Sequence, residues 1–226
     1  MSQPPNDKLR ISHIGTGALL LEADGPLAMG LQYRILSLAD VIRTWPEIAE
    51  AVPGVTNLMV VLGSRRGSLQ TLLQRIRHIW QEQARNTEDA PSSSRTVVIP
   101  TVYGGERAVD LEAVARNADL SPREIVDIHA AGEYTVLTVA SVPGFGYLHG
   151  LDPRIECPRK ATPSLNVEKG SITIGGMLTG VAPASGPSGW HVIGYSDIVV
   201  FDPMATPPAL LLPGDRVRFF PERILL

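Results

Sequence analysis

Cysteine is almost missing from this chain: one residue, Cys157, among 226. That excludes an intrachain disulfide framework and any metal site built from several cysteines, and it suits a reducing, cytoplasmic compartment. Lysine is nearly as scarce, with only Lys8, Lys160 and Lys169. None stands in a Met-Lys-Met arrangement, so any biotin would have to arrive on another domain. Charge of either sign is modest, 19% of residues with a net charge of −3. This balance fits neither a polybasic nucleic-acid binder nor a disordered acidic tail. No apolar run approaches the ~18 residues needed to span a bilayer. The opening MSQPPNDKLR leads into no apolar targeting segment, so no membrane association is expected.

Familiar catalytic spacings are lacking too. Gly63-Ser64-Arg65-Arg66-Gly67-Ser68 has no phosphate-reaching lysine and the wrong glycine spacing, and it reads as a strand-to-helix turn. Gly15-Thr16-Gly17 and Gly144-Phe145-Gly146 are each half of a dinucleotide fingerprint. The histidines at 13, 78, 129, 149 and 191 form no His-Glu-x-x-His pattern, and no Gly-x-Ser-x-Gly elbow presents a serine. No metal site is therefore expected.

What is present is enough apolar residue, 44%, to bury a core, in a length that suits two domains. Leu31, Ile35, Leu38, Val41 and Ile42 predict a helix over 27–45, with Pro26 at its start and Pro46 closing it. Leu69, Leu72, Leu73, Ile76, Ile79 and Trp80 predict another behind an N-cap at Ser68. Strand-like runs at 17–22, 57–62 and 95–103 surround them, which suggests a small sheet with helices on one face. The polar stretch 86–94 reads as an exposed connection, placing the domain boundary at 1–90 and 91–226.

Beyond it, Asp110 is expected to cap a helix ending at Ala118, and Ser121-Pro122-Arg123-Glu124 carries a capping box for a helix over 122–131. Residues 143–226 hold 11 Gly and 11 Pro, against 10 and 8 in 1–142. Strand runs at 135–140, 171–174, 190–193, 198–201 and 216–220 alternate with these turns, which points to a barrel or sandwich.

The chemistry-bearing residues lie in the same turn-rich half. Phe145 and Tyr147 stand between glycines, either rimming a pocket or plugging a small barrel. Arg154 and Arg159 offer guanidinium groups suited to a carboxylate or carboxyphosphate-like anion, or else form a solvated surface pair. Gly175 and Gly176 could direct N–H groups at an oxyanion, or turn a hairpin. Trp190 fits a core position or a ligand platform.

The order of motifs from Ile99 onward resembles the allophanate hydrolase subunit 1 family, also called the KipI or 5-oxoprolinase B-subunit family. The matching pieces include Ile99-Pro100, Tyr103-Gly104-Gly105, Leu120-Ser121-Pro122 through His129, and Pro143-Gly144-Phe145 with Tyr147-Leu148. Gly150-Leu151-Asp152-Pro153, Pro158-Arg159 with Ala161-Thr162-Pro163, Ser188-Gly189-Trp190, Phe201-Asp202-Pro203 and Pro213-Gly214-Asp215 follow in order.

The resemblance implies an α+β chain: a ferredoxin-like α/β sandwich domain followed by a cyclophilin-like β-barrel of the carboxyltransferase type. It further implies two partners, a fold-related chain of the allophanate hydrolase subunit 2 or 5-oxoprolinase C-subunit type, and the larger 5-oxoprolinase A-type chain. Together these would open 5-oxoproline with ATP, used through the complex, or form a related allophanate hydrolase or carboxyltransferase complex, and the chain is expected to be inactive alone. A different member of the family, KipI, inhibits a sensor histidine kinase and does no chemistry.

On this reading Arg154 and Arg159 bind the substrate anion, and Gly175, Gly176 and Thr179 supply donors. Phe145, Tyr147 and Trp190 wall the site, and His149 is a candidate proton carrier. Leu178 and Ala182 depart from the family pattern, which carries a side-chain amide and a phenol at those positions.

Overall fold

The computed structural model describes residues 8–64, 67–85 and 95–226. Residues 65 and 66 of the 63–68 turn and the whole of the 86–94 connection lie outside the described residues. The chain divides into two compact units, 1–92 and 93–226.

In the first unit the elements run β1 (Leu9–Ile14), β2 (Ala18–Ala23), α1 (Met29–Ile42), β3 (Ile48–Pro53), β4 (Asn57–Leu62) and α2 (Leu69–Arg85). The strands form one antiparallel sheet in the order β1-β2-β4-β3. Leu19, Leu21, Leu58 and Val60 alternate along the central strands, as a half-buried pleat requires, and meet the apolar stripes of the helices at Ile35, Leu38, Ile42, Ile76 and Trp80.

Ser68 caps α2 as expected, accepting from the Thr71 N–H at 3.4 Å. The predicted start of α1 at Pro26 is corrected: Ala28 is the N-cap, and its carbonyl accepts the first helical bond from the Gln32 N–H. Strands β1 and β3 escape the sequence reading because both are edge strands. The alanines and terminal proline of β3 give no β-branched run.

The second unit contains β5 (Thr96–Gly104), α3 (Leu111–Ala118), α4 (Pro122–Ala131), β6 (Tyr134–Val139), β7 (Gly146–His149), β8 (Ser164–Val167), β9 (Ser171–Gly175), β10 (Leu178–Val181), β11 (Gly186–Ser188), β12 (His191–Tyr195) and β13 (Arg216–Leu225). Seven strands close a barrel in the order β10-β7-β6-β13-β5-β12-β9, while β8 and β11 pair separately. The molecule is thus mixed α+β with a closed seven-stranded barrel. β5 and β13 run parallel, from Arg216 opposite Thr96 to Leu225 opposite Gly104.

The barrel core gathers Ile99, Tyr103, Val136, Leu148, Ile172, Ile174, Ile193, Val217 and Phe219, covered by Val114, Ile125 and Val126 of the two helices. The strand predicted over 198–201 is corrected to a loop with one bridge, Phe201 to Ala209. Pro203, Pro207 and Pro208 lack the N–H groups a longer ladder would need there. No described helix is long and apolar enough to cross a membrane.

Candidate functional site

A cleft of about 350 Å³ opens in the second unit. Its apolar wall is made by Phe145, Tyr147 and Trp190, each ring edge-on to the other two at centroid separations of 5.0, 5.3 and 5.8 Å. Edge-to-face contact of this kind fixes ring orientation as well as burying area.

Glycines make the arrangement possible. A Cβ on Gly175 would lie 2.4 Å from the Trp190 indole, and one on Gly180 would lie 2.9 Å from the Gly146 carbonyl oxygen and 3.1 Å from the Phe145 ring. Thr173 adds a buried hydroxyl to the lining, donating to the Gly180 carbonyl at 3.3 Å.

Arg159 is the one charged side chain among the described residues that line the cleft. It is exposed and has no ion-pair or hydrogen-bond partner among the described residues. Its backbone, by contrast, is tied on both sides. The Pro158 carbonyl accepts from His191 Nε2 at 2.9 Å, and the Lys160 N–H donates to the Gly189 carbonyl at 2.8 Å.

The Lys160 ammonium reaches Asp110 at 2.6 Å and Ser164 at 2.8 Å, with both members of the ion pair largely buried. Asp110 also accepts the Val192 N–H at 2.7 Å. The expected capping role of the Asp110 side chain is corrected accordingly: it precedes α3, but its carboxylate anchors the arginine loop to β12. A guanidinium held on a fixed backbone and left without an internal anion is suited to an incoming carboxylate.

Of the nine residues anticipated for the site, Phe145, Tyr147, Arg159 and Trp190 line the cleft, and Gly175 supports it from beneath Trp190. The other four do not reach it. Arg154 sits on a one-turn 3-10 helix, where its guanidinium is engaged by Asp152 at 2.7 and 3.0 Å. Those bonds pull the Asp152 carboxyl down to about 2.

Gly176 turns the β9–β10 hairpin, and its N–H is already donated to the Cys157 carbonyl at 2.7 Å, so it has no proton left for an oxyanion. His149 lies in β7 opposite Thr135, outside the cleft lining. Thr179 is fully buried. Its hydroxyl donates to the Thr173 carbonyl at 2.9 Å and lies 2.9 Å from His129 Nε2.

That contact belongs to a buried network the sequence reading missed. His129, on α4, is fully buried, with Nδ1 2.7 Å from the Tyr103 hydroxyl and Nε2 on Thr179. Because the Thr179 proton goes to Thr173, His129 Nε2 must be the N–H that donates to Thr179, and Nδ1 must accept from Tyr103. Tyr134 donates its own hydroxyl to the His129 carbonyl at 2.7 Å. Burial pushes the His129 imidazole down to about 3, which keeps it neutral, and pushes both tyrosines well above their ordinary value. The signal was available: Ile125, Val126 and His129 share the inward face of α4, and a histidine there must find polar partners.

The family model for the carboxyltransferase domain, subdomain C and D, matches residues 9–211. A curated relative, the B subunit of 5-oxoprolinase from Escherichia coli O157:H7, is 39% identical over 210 residues, covering 93% of this chain and 94% of its own. The crystal structure of TTHA0988 superposes with a TM-score of 0.76 at 32% identity over 91% of this chain, which spans only 40% of that protein. With the K. lactis urea amidolyase the likeness is of fold alone. The TM-score is 0.78 at 18% identity, over 99% of this chain and 15% of the amidolyase.

Proposed function

The chain belongs to the carboxyltransferase family of subdomains C and D, and from that premise we propose that it is the B-type subunit of a cytoplasmic, ATP-dependent 5-oxoprolinase complex. The observation that carries the reading is the cleft, where one unpaired guanidinium stands beside three aromatic rings. Such a site suits a small ring bearing a single carboxylate, the charge on Arg159 and the ring faces against Phe145, Tyr147 and Trp190.

The first unit is read as ferredoxin-like, since β2-α1-β3-β4-α2 places β4 between β2 and β3, with β1 in the remaining edge position. The second is read as a cyclophilin-like barrel. The two domains are assigned to 1–90 and 91–226, with the boundary two residues before the division between the compact units. ATP is used through the complex, which includes a fold-related C-type subunit and a larger A-type subunit.

The test is reconstitution with those two partners and measurement of 5-oxoproline-dependent ATP hydrolysis. Arg159→Ala is expected to cut turnover per substrate encounter, kcat/KM, by about a hundredfold, the value of a charged hydrogen bond, with an unchanged melting temperature. Unchanged turnover would remove Arg159 from the site.

One observation favours a second reading. Ala182 lines the cleft at the position where the family pattern carries a phenol. A site stripped of that hydroxyl fits a KipI-like regulator that binds a sensor kinase without chemistry. A reconstituted complex with no ATP-dependent turnover, together with inhibition of kinase autophosphorylation by the chain alone, would select it.

A further inference from the structure

Three residues other than glycine have positive φ among the described residues: Thr56, Asp119 and Ser141. Asp119 ends α3 and Thr56 lies between β3 and β4, both common places for such a backbone. Ser141 is different, because it lines the cleft.

Its φ of +68° and the 2.9 Å bond from the Val142 N–H to the Ala140 carbonyl make it the centre of a γ-turn of the rare, strained, positive-φ kind. Glycine would adopt that backbone without strain. A serine there needs a reason, and its hydroxyl supplies one: it is hydrogen-bonded to the Tyr147 hydroxyl, and neither group has another partner among the described residues.

The pair holds two hydroxyl protons, of which their mutual bond uses one. One O–H donor and several lone pairs therefore remain at the edge of a cleft whose only charged lining side chain, among the described residues, is Arg159. A cyclic amide offers the complement, a carbonyl acceptor beside an N–H donor. We propose that Ser141, through its bond to Tyr147, determines specificity in this cleft by taking the amide edge of a lactam carboxylate whose carboxylate lies on Arg159. This rests on the reading of the cleft given above and names the part of the ligand each group recognises.

The experiment uses the reconstituted three-chain complex and two probes of the same ring size. One is 5-oxoproline; the other is cyclopentanecarboxylate, which keeps the carboxylate and lacks the amide. Binding to the wild-type complex is measured by calorimetry and compared with Ser141→Gly, Ser141→Ala and Tyr147→Phe.

Ser141→Gly is expected to weaken 5-oxoproline binding about tenfold, the value of one neutral hydrogen bond, and to leave cyclopentanecarboxylate unchanged. Its melting temperature should stay level or rise, because the strain leaves with the side chain. Ser141→Ala should lose the same affinity without that thermal gain. Tyr147→Phe should match it, and Ser141→Gly combined with Tyr147→Phe should lose little more than either alone.

Equal binding of 5-oxoproline by wild type and Ser141→Gly would overturn the proposal, as would equal weakening of both probes. A wild-type complex that binds neither ring would overturn the reading of the cleft itself and this inference with it.

Discussion

His129 sits among the rings of Tyr103, Tyr134 and Phe219, with the Phe219 centroid 4.6 Å away, and no water can solvate a charge on it. Its imidazole is held near 3 in the folded chain, against an ordinary 6.5. Between those values the unfolded chain binds the proton and the folded one does not, so stability must fall as pH drops through that window and be fully present above about 6.5. The slope this single group adds is at most about 1.4 kcal/mol per pH unit. Urea unfolding of wild type and His129→Gln across pH 4–7 checks this. The variant should lose that share of the slope, and parallel curves would contradict it.

At this scale the sequence was readable where neighbours are local, as with Phe145 and Tyr147, two positions apart and edge to face in the structure. It was opaque where a partner comes from far along the chain. Spacing cannot show that the Gly176 N–H is already taken by Cys157, nineteen positions earlier. Arg154 is the opposite case: its partner Asp152 stands two positions away, a local pairing that the reading of its guanidinium as an anion site overlooked.

Among the elements, α4 shows the clearest passage from sequence to structure. Ser121 accepts the Glu124 N–H at 3.3 Å and Glu124 returns to the Ser121 N–H at 2.8 Å, with Pro122 at the first helical position. This box fixes the start of the helix and therefore the register that carries Ile125, Val126 and His129 inward. Ser121→Ala is expected to destabilise the second unit by about 1 kcal/mol, measured by denaturant unfolding, with cleft binding retained. A loss of several kcal/mol would mean that the box does more than start the helix.

The helices were legible because apolar stripes and caps are local signals, β4 because it is a short apolar run, and β9 because Ile172, Thr173 and Ile174 are all β-branched. Strands β7, β8, β10 and β11 were not. They are three or four residues long and rich in glycine, proline or serine, so pairing alone defines them.

At the scale of the whole molecule, each unit draws its core from its own residues: Leu19 through Trp80 in the first, Ile99 through Phe219 in the second. The composition shift toward glycine and proline announced a barrel or sandwich in the second. It could not announce closure, which depends on the parallel pairing of β5 with β13 across more than a hundred residues. Ending the chain after Asp215 removes β13 and opens the barrel between β5 and β6. Such a truncation is expected to lose the cooperative unfolding of the second unit and the dispersed amide spectrum of its core. A truncated chain that keeps both would mean that the barrel does not depend on this strand.

The place of β13 also bears on how the protein is made in the cell. Of the seven barrel strands it is the last to leave the ribosome, yet it belongs between two of the earliest, β5 and β6. Until residues 216–225 emerge, the nascent chain presents two open sheet edges, the kind of surface that invites strand addition from neighbouring chains. Synthesis arrested just short of them should yield a product that chaperones hold or that aggregates, while a few codons more allow the ring of strands to shut.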